Sequence, residues 1–402
     1  MQTLPDIDTL IDAVIPDITA IRRDLHAHPQ LGFEEVYASE TVQRELTRAG
    51  VEFQGGLAET GVVGWLLPED AAAARRPAVA LRADMDALPI TEQTGLPYAS
   101  RHDGLMHACG HDGHTSILIG TARVLAQMRG ALTRPVKLIF QPAEEGRAGA
   151  RRMVEDGALE ARVGGVEVAQ IFGLHGWPRV KLGDVCTRPG PMMAGSTAFE
   201  IDITGPGGHG ASPQETSDTI VAASHVVAAL QTIVSRNVRA TAPAVVTVGT
   251  FHAGQAVNII PEIARLTGTI RTLDGKIDAL IRHRVQQVAE HAAGAIGCHA
   301  AVRFRDGYPV VVNDERAVAH VLAIAREQAG EAQVHIMDNP VMGAEDFAFY
   351  GQRVMSAFYY IGVCPPDRDS YPGLHTPMYD FNDDALPLGM AMMCQLALRE
   401  AV

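Results

Sequence analysis

A chain of 402 residues is too long for one core of ordinary size, so two domains are the first expectation. Hydrophobic residues make up 47% and charged residues 20%, the balance of a soluble globular protein. The formal net charge of -14, from 33 Lys+Arg and 47 Asp+Glu, argues against nucleic acid or an anionic membrane as partner, because both need clustered positive charge.

Four aspartates and no Lys or Arg fall in the first twenty residues, which is not a signal-peptide pattern. No segment reaches the 18 consecutive apolar residues of a membrane span. The five cysteines, Cys109, Cys186, Cys298, Cys364 and Cys394, are odd in number and scattered, so they make no disulfide framework. A reducing, cytoplasmic setting is expected. Four of them read as buried apolar side chains, whereas Cys109 has polar neighbours.

Along the chain, Ile7 to His28 has helical periodicity and runs into the turn HPQLGFEE. PAVALRADMDALP begins as a buried strand, Ala78 to Arg82, and ends in acidic residues. HTSILIGTARVLAQM reads as a helix starting near His114. PVKLIFQPAEEG is a second buried strand with Glu144 and Glu145 just past its end, and VAQIFGLHGWP a third with His175 past its end. Strands alternating with helices imply an α/β fold on a mixed, largely parallel sheet with helices on both faces. Such sheets bind ligands beyond the carboxyl ends of their strands. Asp84, Asp86, Glu144, Glu145 and His175 all fall there.

Near Pro189 the pattern changes. TAFEIDITG, AVVTVGTFHAG and ARLTGTIRTL alternate like strands with one face exposed. With helices over Asp218 to Asn237 and Lys276 to Ile296, and the strand AAVRFRDG, the order is βαββαβ, a ferredoxin-like sandwich. The first style returns in HVLAIAREQAG, SAFYYIGV and a terminal helix after Pro387. The expected division is therefore a catalytic domain in two parts, 1–190 and 307–402, with a lid or dimerisation domain inserted at 191–306.

The densest chemistry is HACGHDGH, His107 to His114, with Gly110 and Gly113 keeping its backbone loose. Cys109 and His111, two apart in an extended segment, would point to one side. Thiolate and imidazole both suit zinc-like metals. From the octapeptide alone, a metal site and a polar loop capping the next helix are equally good readings. Glu145 and His175, on other strands at the same edge, favour metal. His375, in the Gly/Pro-bounded loop GLHTPMYDF, is a fifth candidate. Scattered ligands converging on a sheet edge suit a catalytic site better than a structural one, which draws on two tight pairs. Of the adjacent Glu144 and Glu145, one can hold metal while the other serves as a base toward water.

Together, RADMDALP, HACGHDGH, QPAEEG, GGHGASP, VNIIP and GLHTP resemble the M20 family of metallo-aminoacylases and carboxypeptidases. The likeness is greatest to the branch of hippurate hydrolase, N-acyl-amino-acid amidohydrolases and plant indole-acetyl-amino-acid hydrolases. It runs from Arg23 to the C-terminus and implies a zinc-aminopeptidase-like fold with a dinuclear site. The ions would be two divalent metals, Zn, Mn, Ni or Co, held by Cys109, His111, Glu145, His175 and His375. It implies Glu144 as general base and Asp86 as the aspartate supporting the site from behind. His209, in GPGGHGASP, would bind the scissile carbonyl. Asn258 and Arg271 would hold the substrate carboxylate or line the cleft, a task that suits the planar fork of arginine. The resemblance further implies a homodimer formed through the inserted domain, with His209 reaching the partner's site. Other M20 branches have His where this chain has Asp84 and lack the Cys, so neither Asp84 nor Asp112 is assigned to metal. His107 and His114 could orient Cys109 and His111. His26, His28, His102, His225, His252 and His335 read as ordinary surface or core histidines.

Gly205 to Gly210 also satisfies G-x-G-x-x-G after a strand, the shape of a dinucleotide fingerprint. Ser212-Pro213 keeps those glycines off the helix N-terminus, and no strand ending in an acidic residue follows about twenty residues on. The expected activity is metal-dependent hydrolysis of the amide of an N-acyl amino acid. A dipeptidase or carboxypeptidase, an N-acetyl-diaminopimelate deacetylase, and a non-catalytic metal-binding protein are the alternatives.

Overall fold

The computed structural model describes residues 6–400, so the outermost ends of the expected catalytic parts lie outside the described residues. The chain divides into two compact units. One comprises the chain up to Met192, Val312–Asn339 and the segment from Asp346 onward; the other is Met193–Val311 with Pro340–Glu345.

The first unit is built on an eight-stranded sheet. Its strands run in the spatial order Glu52–Leu57, Gly61–Leu66, Val136–Gln141, Ala78–Asp84, Val168–Lys181, Met355–Cys364, Val185–Thr187 and Val334–Ile336. The middle four are mutually parallel, and the strand next to them on each side, Gly61–Leu66 and Val185–Thr187, pairs antiparallel. Every residue of Ala78–Asp84 and Val136–Gln141 is buried. A parallel strand covered on both faces reads as a continuous apolar run for that reason. The helices Ile7–Ala27, His111–Gln127 and Leu386–Leu398 pack on one another and share one core with the sheet. Asp6 caps the first of these, its carboxylate accepting from the Thr9 amide.

Register places the chemistry. Asp84 pairs with Gln141, and Arg82 with Gly173, so Asp84, Gln141 and His175 reach the same level. His175 does not lie past a strand end, as the sequence suggests. Strand Val168–Lys181 continues through it because its other neighbour still pairs, Tyr360 with His175 and Gly362 with Trp177.

The second unit has a four-stranded antiparallel sheet in the order Ala244–Ala253, Ile263–Thr272, Gly195–Thr204, His299–Asp306. In chain order these are strands 2, 3, 1 and 4, the ferredoxin-like arrangement. Helices Thr219–Leu230, Thr232–Asn237 and Gly275–Gly294 close its core with Ala222, Val226, Leu230, Ile281 and Val285. By length and composition alone Thr219–Asn237 could cross a membrane; Ala222, Val226, Leu230 and Ile233 face this core, while Ile220 and Val221 are exposed.

Candidate active site

HACGHDGH folds as a tight corner. Helix His111–Gln127 begins three residues earlier than the sequence suggests, because Gly110, at φ 88°, ends the loop in a left-handed turn. Cys109 and His111 are therefore brought together by that turn, and the two-residue repeat of an extended strand plays no part. Nor do the glycines loosen the backbone. A Cβ on Gly113 would lie 2.4 Å from the Phe381 ring, and one on Gly110 2.9 Å from the Tyr379 hydroxyl. Glycine is required here by close packing against the segment that follows His375. The His375 amide donates to the Ala108 carbonyl at 2.8 Å, which ties the two loops together. His375 itself has a positive φ of 60°, a conformation its surroundings must impose.

All five expected ligands converge within the first unit. Potential donor atoms of Cys109, His111 and His175 lie within 4.8 Å of one another, as do those of Cys109, Glu145 and His375, and those of His111, Glu144 and Glu145. Cys109 Sγ is 3.4 Å from His175 Nε2, and His375 Nε2 is 3.1 Å from Glu145 Oε1. His175 is oriented by its Nδ1–H, which donates to the Gly176 carbonyl at 2.8 Å. Asp86 sits behind. Its Oδ1 lies 3.2 Å from His111 Nδ1 and accepts from the Glu144 amide at 3.0 Å, while its Oδ2 accepts from the Glu145 amide at 2.8 Å. Glu144 is buried beside these groups, and one of its oxygens accepts from the Asp346 amide at 3.3 Å.

The electrostatics fit a bound cation. Burial together with Glu145, Glu144 and Asp84 holds the Cys109 thiol well above its ordinary pKa. Burial alone would discharge the His111 ring, but Asp84, Asp86 and Glu145 outweigh it and lift its pKa to about 10. Burial keeps His175 neutral, its pKa well below the usual imidazole value. A neutral imidazole is the form that binds metal, and a divalent cation inverts the penalty on the thiol. The Nε2 of His111 is buried with no hydrogen-bond partner among the described residues; the same carboxylates that hold a proton on this ring would attract a cation, which would displace that proton on binding.

Asp84 and Asp112 are engaged elsewhere. Asp84 has one oxygen 2.7 Å from His114 Nδ1, and the other accepts from Arg82 at 2.8 Å. It forms a further cluster with His111 and His114, but its lone pairs already serve protein donors. Asp112 faces His26 Nδ1 at 2.8 Å and Arg22 at 3.5 Å. His114 accepts the Gly176 amide through Nε2 at 2.8 Å and so steadies the strand that carries His175. His107 is buried and its pKa is pushed down to about 4 by burial.

The substrate-side candidates lie in the second unit. His209 and Ile259 pair in a short two-stranded ribbon, and the Gly210 amide donates to the Asn258 carbonyl at 2.8 Å. His209 and Asn258 thus share one open groove of about 770 Å³ with Pro206, Ile260 and Glu262. The Ala211 amide donates to His209 Nδ1 at 3.0 Å, which leaves the proton on Nε2 as a free donor. Arg271 is not with them. It pairs with Ser196 at the start of strand Gly195–Thr204, whereas Ile263 pairs with Thr204 at its end. Eight residues at roughly 3.3 Å each put the two ends about 26 Å apart.

Sequence reasoning missed a buried layer beneath the site. Arg82 links Asp84, Gln141 and Asp346, and Arg22 links Asp112, Asp380 and Asp383. The signal available was a charge inside an otherwise apolar strand or helix face, as in AVALRAD, since such charges persist only when paired.

A family model described as peptidase family M20/M25/M40 matches residues 80–399. IAA-amino acid hydrolase ILR1-like 4 of Arabidopsis thaliana is 39% identical over 386 residues, 95% of this chain and 85% of that one. Hippurate hydrolase of Campylobacter jejuni is 38% identical over 381 residues, covering 94% and 95%. A solved structure from Bacillus subtilis, described as a dinuclear metal binding peptidase from the M20 family, superposes with a TM-score of 0.80 at 34% identity over 96% of this chain and 98% of that one. With its parallel-centred α/β sheet and this match over most of its length, the chain belongs to peptidase family M20/M25/M40.

Proposed function

We propose that this chain is a cytoplasmic amidohydrolase that cleaves N-acyl amino acids with two divalent metal ions. The observation that carries the reading is the convergence of Cys109, His111, Glu145, His175 and His375 on one sheet edge with Glu144 beside them. Such ions polarise a carbonyl and lower the pKa of water to about 7. Cys109, His111, Glu145, His175 and His375 would hold them, and Asp86 would orient His111 and both glutamates. Glu144 would accept a proton from water and return it to the leaving amine. His209 would donate its Nε2–H to the oxygen that gains charge at the scissile carbonyl. Asn258 and Arg271 would hold the substrate carboxylate or line the cleft. The small-molecule assignment is supported by the net charge of -14 and by the relatives named for hippurate and IAA-amino acids.

We infer that the inserted unit is a lid through which two copies associate. His209 lies in the short ribbon with Ile259, whereas Arg271 stands near the far end of strand Ile263–Thr272, so different elements of that unit carry the two. Strand Ala244–Ala253 is an edge, and Phe251, Ile220, Val221, Val257 and Ile259 are exposed apolar side chains of the same unit. Unpaired edges of this kind commonly pair or are covered.

The test is a panel of N-acyl amino acids, including hippurate and N-(indol-3-ylacetyl)alanine, with dipeptides and N-acetyl-diaminopimelate beside them. Each is assayed with Zn, Mn, Ni and Co. Release of acid and amino acid from the acyl derivatives alone supports this reading. Preferential dipeptide cleavage overturns the substrate class. No hydrolysis by metal-loaded protein would favour a non-catalytic metal-binding role.

A further inference from the structure

The turn HPQLGFEE has no part in the chemistry above, yet it grips the loop that carries Glu144 and Glu145. Glu35 is completely buried. Its Oε1 accepts the Ala143 amide at 2.8 Å and its Oε2 accepts the Thr60 hydroxyl at 2.7 Å. Ala143 has a φ of 57°, a left-handed conformation that an alanine keeps only when its surroundings impose it. Two further contacts come from the same turn. A Cβ on Gly32 would lie 2.9 Å from Ala143, so only glycine lets the segments close, and Arg147 donates to the Gly32 carbonyl at 2.8 Å. The next two amides, of Glu144 and Glu145, go to Asp86. Three successive amides are therefore held by two buried carboxylates from different parts of the chain.

We propose that Glu35 is a positioning residue for the Glu144–Glu145 pair, acting through the Ala143 amide. This rests on the reading of Glu144 as base and Glu145 as metal ligand. The φ of Ala143 sets the direction in which the following two residues leave the strand. Freed of Glu35, Ala143 would relax toward ordinary backbone and swing both carboxylates. A misplacement of about 1 Å at a reacting group can cost on the order of 100-fold in rate.

Two conservative variants separate reach from charge. Glu35→Gln keeps the length, so an amide oxygen still meets the Ala143 N–H, and the Thr60 hydroxyl can rotate to accept from the new NH₂. Glu35→Asp keeps the charge but withdraws by one methylene. Both are assayed on hippurate or N-(indol-3-ylacetyl)alanine, whichever the wild type cleaves faster, with metal content measured after dialysis against a weak chelator. The expected result for Glu35→Gln is a kcat within about threefold of wild type. Glu35→Asp should lose about 10- to 100-fold in kcat with little change in KM, and should shed metal more readily because Glu145 rides on the same loop. A wild-type kcat in folded Glu35→Asp overturns the proposal, as does a loss in Glu35→Gln equal to or greater than that in Glu35→Asp. Glu144→Gln is run alongside. If it stays active, the reading of Glu144 fails; if it is inactive while Glu35→Asp is fully active, the present inference alone fails.

Discussion

Asp86 and His111 face each other across 3.2 Å, and the Asp86 oxygen that meets the His111 ring also accepts the Glu144 amide. One carboxylate thereby sets the tautomer of a candidate ligand and the placement of a candidate base. Removing its charge while keeping its shape should weaken both. Asp86→Asn is expected to lower metal affinity by about 10- to 100-fold, the usual cost of losing such a supporting group. Competition with a chromophoric chelator measures it. Unchanged affinity would mean that His111 is held adequately without Asp86.

Activity should require a divalent metal. Treatment with EDTA should abolish hydrolysis and added metal should restore it, since a thiolate, three imidazoles and a carboxylate converge as a donor set for divalent transition metals. Full activity in protein shown by elemental analysis to be metal-free would end the mechanism. Cys109→Ser should bind metal more weakly, because a hydroxyl is a far poorer ligand than a thiolate.

The two glutamates should fail differently. Glu144→Gln is expected to keep fold and metal but lose about 10²- to 10⁴-fold in rate, the range of general-base catalysis. Glu145→Gln should lose metal, since Glu145 shares donor clusters with Cys109, His375 and His111. Equal loss of metal from both variants would refute this division of labour.

The central sheet and the ferredoxin-like order could be read from periodicity, because continuous apolar runs and half-exposed alternation are different patterns. The candidate ligands Glu145 and His175 stand out because they fall in or beside such runs, and Cys109 and His111 because they sit in one dense polar octapeptide. What could not be read is the layer of pairings between distant segments. Arg22 with Asp383, Arg82 with Asp346, and Glu35 with Ala143 join residues separated by 361, 264 and 108 positions. A local pattern carries no trace of such a bond; it only shows a charge where none is expected. The short octapeptide misled for a related reason. Gly110 and Gly113 look flexible in isolation, and only the Tyr379 and Phe381 rings reveal that they are crowded.

Glu35 should also mark stability against pH. Burial and the nearby Asp86 charge push its pKa up from 4.5 to about 7. The native state therefore holds this proton more tightly than the unfolded chain. The stabilisation is fully present below pH 4.5 and is lost as pH rises through 7, a change of about 3 kcal/mol. Glu35→Gln cannot titrate, so its stability relative to wild type should rise across that window. Denaturant titrations of both proteins at pH 4.5, 6 and 7.5, at fixed metal concentration, measure the difference. A difference that does not vary with pH would show that Glu35 ionises normally in the fold. The Oε1 bond to Ala143 survives either protonation state, so the positioning role does not depend on this proton.

His209 should work on a partner's active site. Its Nε2–H is free because Nδ1 is occupied by the Ala211 amide, so it is a donor in search of an acceptor. Within its own unit it lies beside Asn258 in the ribbon with Ile259, while Arg271 belongs to the separate four-stranded sheet. Mixing inactive Glu144→Gln with inactive His209→Ala under conditions that exchange subunits decides the matter. If His209 acts across a dimer, each mixed dimer has one site in which Glu144 and His209 are both intact, and activity returns. With equal mixing about a quarter of all sites should recover, half the dimers being mixed and each having one working site. If His209 acts within its own chain, every site lacks one of the two groups at any mixing ratio. Subunit exchange is verified independently by mass-tagged protomers. Verified exchange with no recovery would place His209 in its own chain's site and leave the exposed edge strand Ala244–Ala253 without this function.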